Sequence, residues 1–185
     1  MLNTISRILH TGILSEPLPI PVVTEPTPAG LHQSLWAVLG RALCIRHVDA
    51  GSCNGCELEI HALGNAYYNL EGAGIHFVAS PRHADLLLVT GPVTRNMREA
   101  LLRTWQAMPP PRLVVAVGDC GACGGIFGTS YASRGSVSNV IPVNYTIVGC
   151  PPTPAIILHG ILQAIATLGV ETSKTGKLLR CDVDR

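Results

Sequence analysis

The sequence predicts an α/β domain in which a parallel sheet carries helices on both faces. Short runs of Val, Ile and Leu alternate along the chain with longer helical patterns, and this alternation is typical of parallel sheets flanked by helices. In several of the short runs the apolar residues are consecutive, which indicates strands buried on both faces. The length of 185 residues suits one domain.

Five strands and four helices are expected in the domain, which we place at residues 31–170. The strands are predicted at residues 42–48, 75–79, 85–90, 113–117 and 145–148. The helices are predicted at residues 31–39, 57–70, 95–108 and 154–168, where apolar residues recur at helical spacing. Residues 171–185 are predicted to form a polar C-terminal tail.

Residues 1–30 are expected to form an arm outside the domain. Apolar residues in the first 14 positions recur at helical spacing and predict a short amphipathic helix. The five prolines between Pro17 and Pro28 favour an extended segment that can lie along another protein. A disordered tail is the alternative. The arm has no continuous apolar core of the kind that a secretion signal has.

The sequence argues against nucleic-acid binding and against a membrane-spanning helix. Because the formal net charge is only +1, no broad basic surface is expected, and nucleic acid is an unsuitable partner. Residues 154–170 are the most apolar stretch, yet they are shorter than the roughly 20 residues of a membrane span and include His159 and Gln163. We therefore expect a packed helix there, and any association with a membrane must come through partner subunits.

The cysteines indicate where the chemistry lies. Seven cysteines in a chain without a secretion signal suggest a reduced compartment and metal-binding, catalytic or buried thiols. Cys53 and Cys56 follow the first core strand, Cys120 follows the strand at 113–117, and Cys150 follows the strand at 145–148. Since ligands bind at the carboxyl edge of a parallel sheet, these cysteines are expected to converge.

Two sets of four ligands are compatible with this pattern. Cys53, Cys56 and Cys120 are common to both; Cys123 would complete a zinc-like pair of C-x-x-C motifs, and Cys150 would complete an iron–sulfur set. The long separation of Cys56 from Cys120 is unusual for structural zinc. A Cys-Pro step such as Cys150-Pro151 is common at iron–sulfur ligands. The residues thus favour one 4Fe-4S cluster and leave zinc as the alternative.

Four motifs follow one another along the chain. They are Cys53-Asn-Gly-Cys56-Glu-Leu-Glu, Ala84-Asp-Leu-Leu-Leu-Val-Thr-Gly-Pro-Val-Thr-Arg95-Asn, Gly118-Asp-Cys120-Gly-Ala-Cys-Gly-Gly-Ile-Phe127 and Gly149-Cys150-Pro-Pro-Thr-Pro-Ala-Ile-Ile. In this order they resemble the 20 kDa iron–sulfur subunit family. This family includes the cluster-bearing small subunit of respiratory complex I and its relatives in membrane-bound nickel–iron hydrogenases and formate hydrogenlyase.

The resemblance implies a flavodoxin-like subunit that relays electrons and performs no catalysis itself. It implies one 4Fe-4S cluster at the interface with a large catalytic subunit, held by Cys53, Cys56, Cys120 and Cys150. The implied partners are a large subunit of the nickel–iron hydrogenase or complex I 49 kDa type, a ferredoxin-like multi-cluster subunit and membrane subunits. The implied location is cytoplasmic, peripheral to the inner membrane through those partners.

The spacing of the first two cysteines distinguishes the two branches of the family. In complex I the first two ligand cysteines are adjacent, whereas Asn54 and Gly55 separate them here, as in the hydrogenase branch. Formate hydrogenlyase-like hydrogenase is therefore the leading function. A quinone-reducing complex I subunit and a zinc-stabilised binding module are the alternatives.

Residues around the cysteines have secondary roles in this hypothesis. Five glycines are expected to offer backbone N–H groups to the cluster: Gly51, Gly55, Gly121, Gly124 and Gly125. His47 and His61 are candidates for tuning its potential, Arg95 for approaching its edge, and Glu57 for interacting with a helix dipole. Outside the ligand set, Cys44 is expected to be a buried thiol, Cys123 a buried thiol or a neighbour of the ligands, and Cys181 a thiol of the tail.

Overall fold

The computed structural model describes residues 40–168, which form a five-stranded parallel sheet. The strands run in the order β2-β1-β3-β4-β5, which is the flavodoxin-like order. The predicted α/β fold with a flavodoxin-like parallel sheet is therefore confirmed. The strands are β1 (Leu43–Asp49), β2 (Ile75–Phe77), β3 (Leu86–Thr90), β4 (Leu113–Val117) and β5 (Tyr145–Ile147).

The predicted N-terminal arm, the helix at residues 31–39 and the C-terminal tail lie outside the described residues. They remain predictions.

The central strands of the sheet end at the same level. Asp49 at the end of β1 pairs with Thr90 at the end of β3, and Thr90 pairs with Val117 at the end of β4. All residues of β3 and β4 are buried, as their uninterrupted apolar sequence predicts. The chain segments that leave these strands therefore start together at the carboxyl edge of the sheet.

Helices cover both faces of the sheet. They are α1 (Gly55–Ala62), α2 (Arg95–Ala107), α3 (Gly118–Cys123) and α4 (Pro154–Leu168). On one face, Ile60 of α1 and Ile157 and Ile161 of α4 belong to one apolar core cluster. On the other face, Leu101 of α2 and Met108 belong to a second cluster. The sheet is thus the middle layer of three.

Two elements differ from the sequence prediction. The helix expected over residues 57–70 ends at Ala62, because Asn65 Oδ1 accepts hydrogen bonds from the backbone N–H groups of Tyr67 and Tyr68 at 2.9 and 3.0 Å and so favours a turn. The segment that contains Cys120 was expected to be a loop, yet it forms the short helix α3. Six residues are too few for a helical pattern to be seen in the sequence.

The helix at residues 154–168 is confirmed as a packed helix. Ile157, Ile161 and Ile165 are buried against the sheet. None of the helices in the described part of the chain combines the length and the apolar character that a membrane crossing needs.

Gly160 sets how closely α4 approaches β5. A Cβ atom at Gly160 would lie 2.5 Å from Ile147 Cγ1. Gly160→Ala is expected to lower the free energy of unfolding by about 1–2 kcal/mol, because this overlap outweighs the better helix propensity of alanine, which is worth about 1 kcal/mol. Urea unfolding followed by circular dichroism measures the change.

The Ile147→Ala background is the matched control. There the overlap is removed, so Gly160→Ala should raise the free energy of unfolding. An equal loss of stability in both backgrounds would show that Ile147 does not limit the approach.

Candidate metal centre

Four cysteines from three strand ends meet at the carboxyl edge of the sheet. We call them the thiol quartet: Cys53, Cys56, Cys120 and Cys150. The charges of the other three thiols act on Cys56, and those of Cys53 and Cys150 also act on Cys120. Cys53 precedes α1 and Cys56 lies in its first turn. Cys120 lies in α3 directly after β4, and Cys150 follows β5. The predicted convergence is therefore observed.

Two glycines leave room for thiols of the quartet. A Cβ atom at Gly118 would lie 2.7 Å from Cys56 Sγ, and one at Gly125 would lie 2.8 Å from Cys120 Sγ. Both glycines have positive φ angles, +80° and +53°, which disfavour other residues as well. The backbone thus approaches the sulfur atoms at a distance that a side chain would prevent.

Hydrogen bonds and a close backbone contact with the segment after β3 hold the loop that carries Cys53. Thr94 donates both its backbone N–H and its Oγ1 hydroxyl to Ala50 O, at 2.9 and 3.1 Å. Gly91, with φ +76°, lies so close that a Cβ atom there would be 2.6 Å from Ser52 N. On the β1 side, Asp49 Oδ1 accepts from the backbone N–H groups of Gly51 and Ser52, both at 2.8 Å. These bonds fix the path of the loop toward Cys53.

The electrostatic surroundings of the quartet oppose additional negative charge. Burial, followed by the charge of Glu57 and those of the other thiols, raises the pKa of Cys56 from 9.0 to about 12. Burial raises the pKa of Cys120 too, with further contributions from Cys150, Cys53 and Asp119. These thiols hold their protons until a positively charged group replaces them, so binding a metal here releases protons.

The donor set of the quartet is chemically suited to two kinds of metal group. Four thiolates are soft ligands suited to zinc or to iron–sulfur clusters. Structural zinc is one ion held by four ligands, whereas in a 4Fe-4S cluster each thiolate binds a different iron. Within residues 40–168, no three His, Cys, Asp or Glu side chains are arranged to hold a single metal ion. The donor chemistry of the quartet thus fits an iron–sulfur cluster as well as zinc.

A family model described as NADH ubiquinone oxidoreductase, 20 Kd subunit, matches residues 53–164. The matched region contains the whole thiol quartet. The chain belongs to this family. The resemblance inferred from the four sequence motifs is thereby confirmed.

Relatives within the 20 kDa subunit family come from bacteria and archaea. Formate hydrogenlyase subunit 7 of Escherichia coli (strain K12) is 43% identical over 151 residues, which make up 82% of this chain and 59% of that protein. The probable membrane-bound hydrogenase subunit mbhJ of Pyrococcus furiosus is 42% identical over 134 residues, 72% of this chain and 80% of that protein. The chain thus spans less than two thirds of the bacterial relative.

Solved structures share the fold of this family member. A chain of the membrane-bound sulfane sulfur reductase, an archaeal respiratory membrane complex, has a TM-score of 0.57 and 33% identity over 77% of this chain and 73% of that one. A chain of an NAD+-reducing NiFe-hydrogenase has a TM-score of 0.55 and 20% identity, and covers 77% of this chain and 100% of that one. The second likeness concerns the fold alone.

The remaining cysteines differ from the quartet in their surroundings. Cys123 is exposed, not buried, and its Sγ donates a hydrogen bond to Asp119 O at 3.3 Å. It lies near Cys120. Cys44 is half-buried in β1, away from the carboxyl edge, and Cys181 lies outside the described residues. The assignment of Cys150 instead of Cys123 as the fourth ligand of this family member remains a prediction.

His47 and Glu57 form a polar pair beside the quartet. His47 Nε2 is hydrogen-bonded to Thr90 Oγ1 at 3.0 Å and lies 4.0 Å from Glu57 Oε1. Burial lowers the pKa of His47, and the charge of Glu57 opposes this. Glu57 is in the first turn of α1, as expected for a helix-dipole interaction, yet its buried carboxylate has no hydrogen-bond partner within the described residues. His61 is exposed in the last turn of α1.

Some expected donors to the cluster are engaged elsewhere. The backbone N–H of Gly51 donates to Asp49 Oδ1 at 2.8 Å, and that of Gly124 donates to Cys120 O at 2.9 Å. The sequence-based prediction assigned both N–H groups to the cluster. It was wrong, because Asp49 Oδ1 and Cys120 O already accept these hydrogen bonds. Arg95 is exposed at the start of α2 and its backbone N–H donates to Ala132 O at 2.8 Å.

Two carboxylates that hold the cysteine loops were missed in the sequence. Asp49 accepts from two amides of the Cys53 loop. Asp119 accepts from the backbone N–H of Gly149 at 2.8 Å, next to Cys150. A signal was present, since both aspartates lie at the carboxyl end of a strand, where Asp commonly binds loop amides. The partner of Asp119, however, is remote in sequence.

Gly118→Ala is expected to reduce the iron bound by the purified protein much more than it reduces stability. The new Cβ would displace Cys56 Sγ, the movable end of a side chain, so the fold can adapt while the ligand is lost. The matched control is Gly40→Ala, which has φ +63° but open space around it. Both variants carry a backbone cost of about 1–2 kcal/mol. Equal iron content in the two variants would contradict the steric explanation.

Proposed function

We propose that this chain is the electron-transfer subunit of a membrane-bound, formate hydrogenlyase-like hydrogenase complex. It would carry one 4Fe-4S cluster on Cys53, Cys56, Cys120 and Cys150 and relay electrons to or from the nickel–iron site of a large subunit. The observation that carries the proposal is the thiol quartet, whose four cysteines follow the ends of three parallel strands at one edge of the sheet. A bound 4Fe-4S cluster supplies a reversible one-electron site.

The role of this chain's residues is to hold and partly shield that site. Cys56 and Cys120 are half-buried, whereas Cys53 and Cys150 are exposed. The site is thus covered on the side of the sheet and open on the outer side, where a partner can receive or deliver the electron. No residue of the chain is assigned to catalysis in this proposal.

Exposed apolar residues lie in the chain segments that carry or follow the cysteines of the quartet. Ile126 and Tyr131 are 92% and 87% exposed in the segment after α3. Leu58, Val148 and Ile156, next to the other cysteine-bearing segments, are also exposed. Large apolar residues exposed together indicate a surface that a partner covers. We assign this surface to the large catalytic subunit.

Further subunits complete the proposed complex. A ferredoxin-like multi-cluster subunit would exchange electrons with the cluster, and membrane subunits would hold the assembly at the cytoplasmic side of the inner membrane. The relatives that support this view are named as subunits of formate hydrogenlyase and of a membrane-bound hydrogenase.

The second candidate is a small subunit of a complex I-type quinone oxidoreductase. The description of the family model favours it. Against it stands the separation of Cys53 from Cys56 by Asn54 and Gly55, which agrees with the hydrogenase branch. A zinc-stabilised binding module is the third candidate, and the metal content distinguishes it from the other two.

The purified complex is expected to contain nickel and to take up hydrogen. The measurements are nickel content by mass spectrometry and hydrogen-dependent reduction of an artificial acceptor. A nickel-free complex that reduces quinone would overturn the hydrogenase assignment and favour the second candidate.

Cys150→Ser should remove the iron and acid-labile sulfide of this subunit, whereas Cys123→Ser should retain both. Cys150 is the proposed fourth ligand, while the Cys123 thiol is hydrogen-bonded to a backbone carbonyl. Colorimetric iron and sulfide assays on anaerobically purified complexes provide the readout. The opposite pattern would identify Cys123 as the ligand, and zinc without sulfide in the parent protein would support the binding module.

A further inference from the structure

Asp119 ties together two segments that carry members of the thiol quartet. Its backbone N–H donates to Gly149 O at 3.0 Å, and the backbone N–H of Gly149 donates in return to Asp119 Oδ1 at 2.8 Å. Asp119 directly precedes Cys120, and Gly149 directly precedes Cys150. This reciprocal pair of hydrogen bonds, which we call the tie, therefore sets the distance between the Cys120 segment and the Cys150 segment next to the two cysteines.

The same tie adjoins a third member of the quartet. A Cβ atom at Gly118 would lie 2.7 Å from Cys56 Sγ and 3.4 Å from Gly149 O. The backbone of Gly118 thus lies between the tie and Cys56. A displacement of Asp119 would therefore shift three of the four proposed ligands, Cys56, Cys120 and Cys150.

The carboxylate of Asp119 also brings a negative charge to this position. Within residues 40–168 it forms no ion pair with a Lys, Arg or His side chain. Asp119 directly precedes Cys120. A carboxylate charge at this position disfavours further negative charge, and an electron added to a group bound at Cys120 adds charge of the same sign.

We propose that Asp119 is a positioning residue that holds the Cys120 and Cys150 segments in register and, by its charge, lowers the reduction potential of the cluster. The inference rests on the proposed iron–sulfur function. It assigns two separable roles to one carboxylate: Oδ1 accepts the hydrogen bond from Gly149, and the ionic charge opposes the incoming electron. A lowered potential suits exchange with strongly reducing one-electron carriers.

Two variants separate the roles. Asp119→Asn keeps an Oδ1 acceptor for Gly149 and removes the charge, whereas Asp119→Ala removes both. The complete complex is purified anaerobically, and its iron and acid-labile sulfide are measured. The midpoint potential is then obtained by titration with dithionite, followed by electron paramagnetic resonance. The signal of this subunit is identified as the one that Cys150→Ser eliminates.

Asp119→Asn is expected to retain iron and sulfide at the parent level and to shift the midpoint potential upward. Asp119→Ala is expected to lose the same iron and sulfide per complex that Cys150→Ser loses, because the Gly149 N–H has no acceptor left and only the backbone bond from Asp119 to Gly149 O remains. The charge-matched control is Glu71→Gln, which removes an exposed carboxylate in the turn before β2. It should change neither the cluster content nor the potential.

Three results would overturn the inference. They are an Asp119→Asn potential equal to that of the parent and of Glu71→Gln, loss of iron in Asp119→Asn, and full cluster content in Asp119→Ala. Equal iron and sulfide contents in the parent and Cys150→Ser complexes, with no resonance signal eliminated by Cys150→Ser, would instead refute the cluster itself. The comparison of the parent with Cys150→Ser thus tells the two failures apart.

Discussion

The parallel pairing of β1, β3, β4 and β5 is the constraint on which the whole site depends. Backbone hydrogen bonds align Asp49, Thr90, Val117 and Ile147 at the ends of these strands, so the segments that follow them start at one level. The thiols of Cys53 and Cys150 are far apart in sequence and meet only because their strands end at the same edge. The apolar cores on both faces stabilise this alignment, so the packing of the domain also determines where the thiol quartet lies.

Space around the sulfur atoms at the carboxyl edge of the sheet is limited. Glycine residues provide it because they have no side chain. Gly118 and Gly125 lie against sulfur atoms, and Gly91 lies against the Cys53 loop, in each case with room for hydrogen but not for carbon. Hydrogen bonds then fix the cysteine-bearing segments, through Thr94 on one side and Asp119 on the other. The thiols are therefore positioned by backbone contacts and short polar side chains, which limits how far each thiol can move.

The electrostatics of the site differ from those of an ordinary buried pair of charges. Four thiols gather at one edge of the sheet, Glu57 adds a carboxylate whose buried oxygens have no hydrogen-bond partner within residues 40–168, and Asp119 adds another. This arrangement is costly for the chain alone. It becomes favourable when a positively charged group binds the thiolates. Loading of the site and its protonation are therefore coupled.

Much of the fold could be read from the sequence. Consecutive apolar residues identified β3 and β4, and helical spacing identified α2 and α4, since these elements are long or uniform enough for burial to leave a pattern. The helix α3 is too short to leave such a pattern in the sequence. The end of α1 at Ala62 also escaped detection, because Asn65 decides it through its own hydrogen bonds.

The sequence by itself determined which residue types are available: the C-x-x-C motif, the Cys-Pro step and the glycines around them, in an order that identifies the family. Only the tertiary structure decided which of these groups meet. The pairing of Asp119 with Gly149, the contact of Cys56 with Gly118 and the engagement of the Gly51 amide by Asp49 join groups at short distances in space. Such contacts depend on the register of neighbouring strands and the path of the loops between them. Local sequence does not specify these, because they result from the packing of the complete sheet.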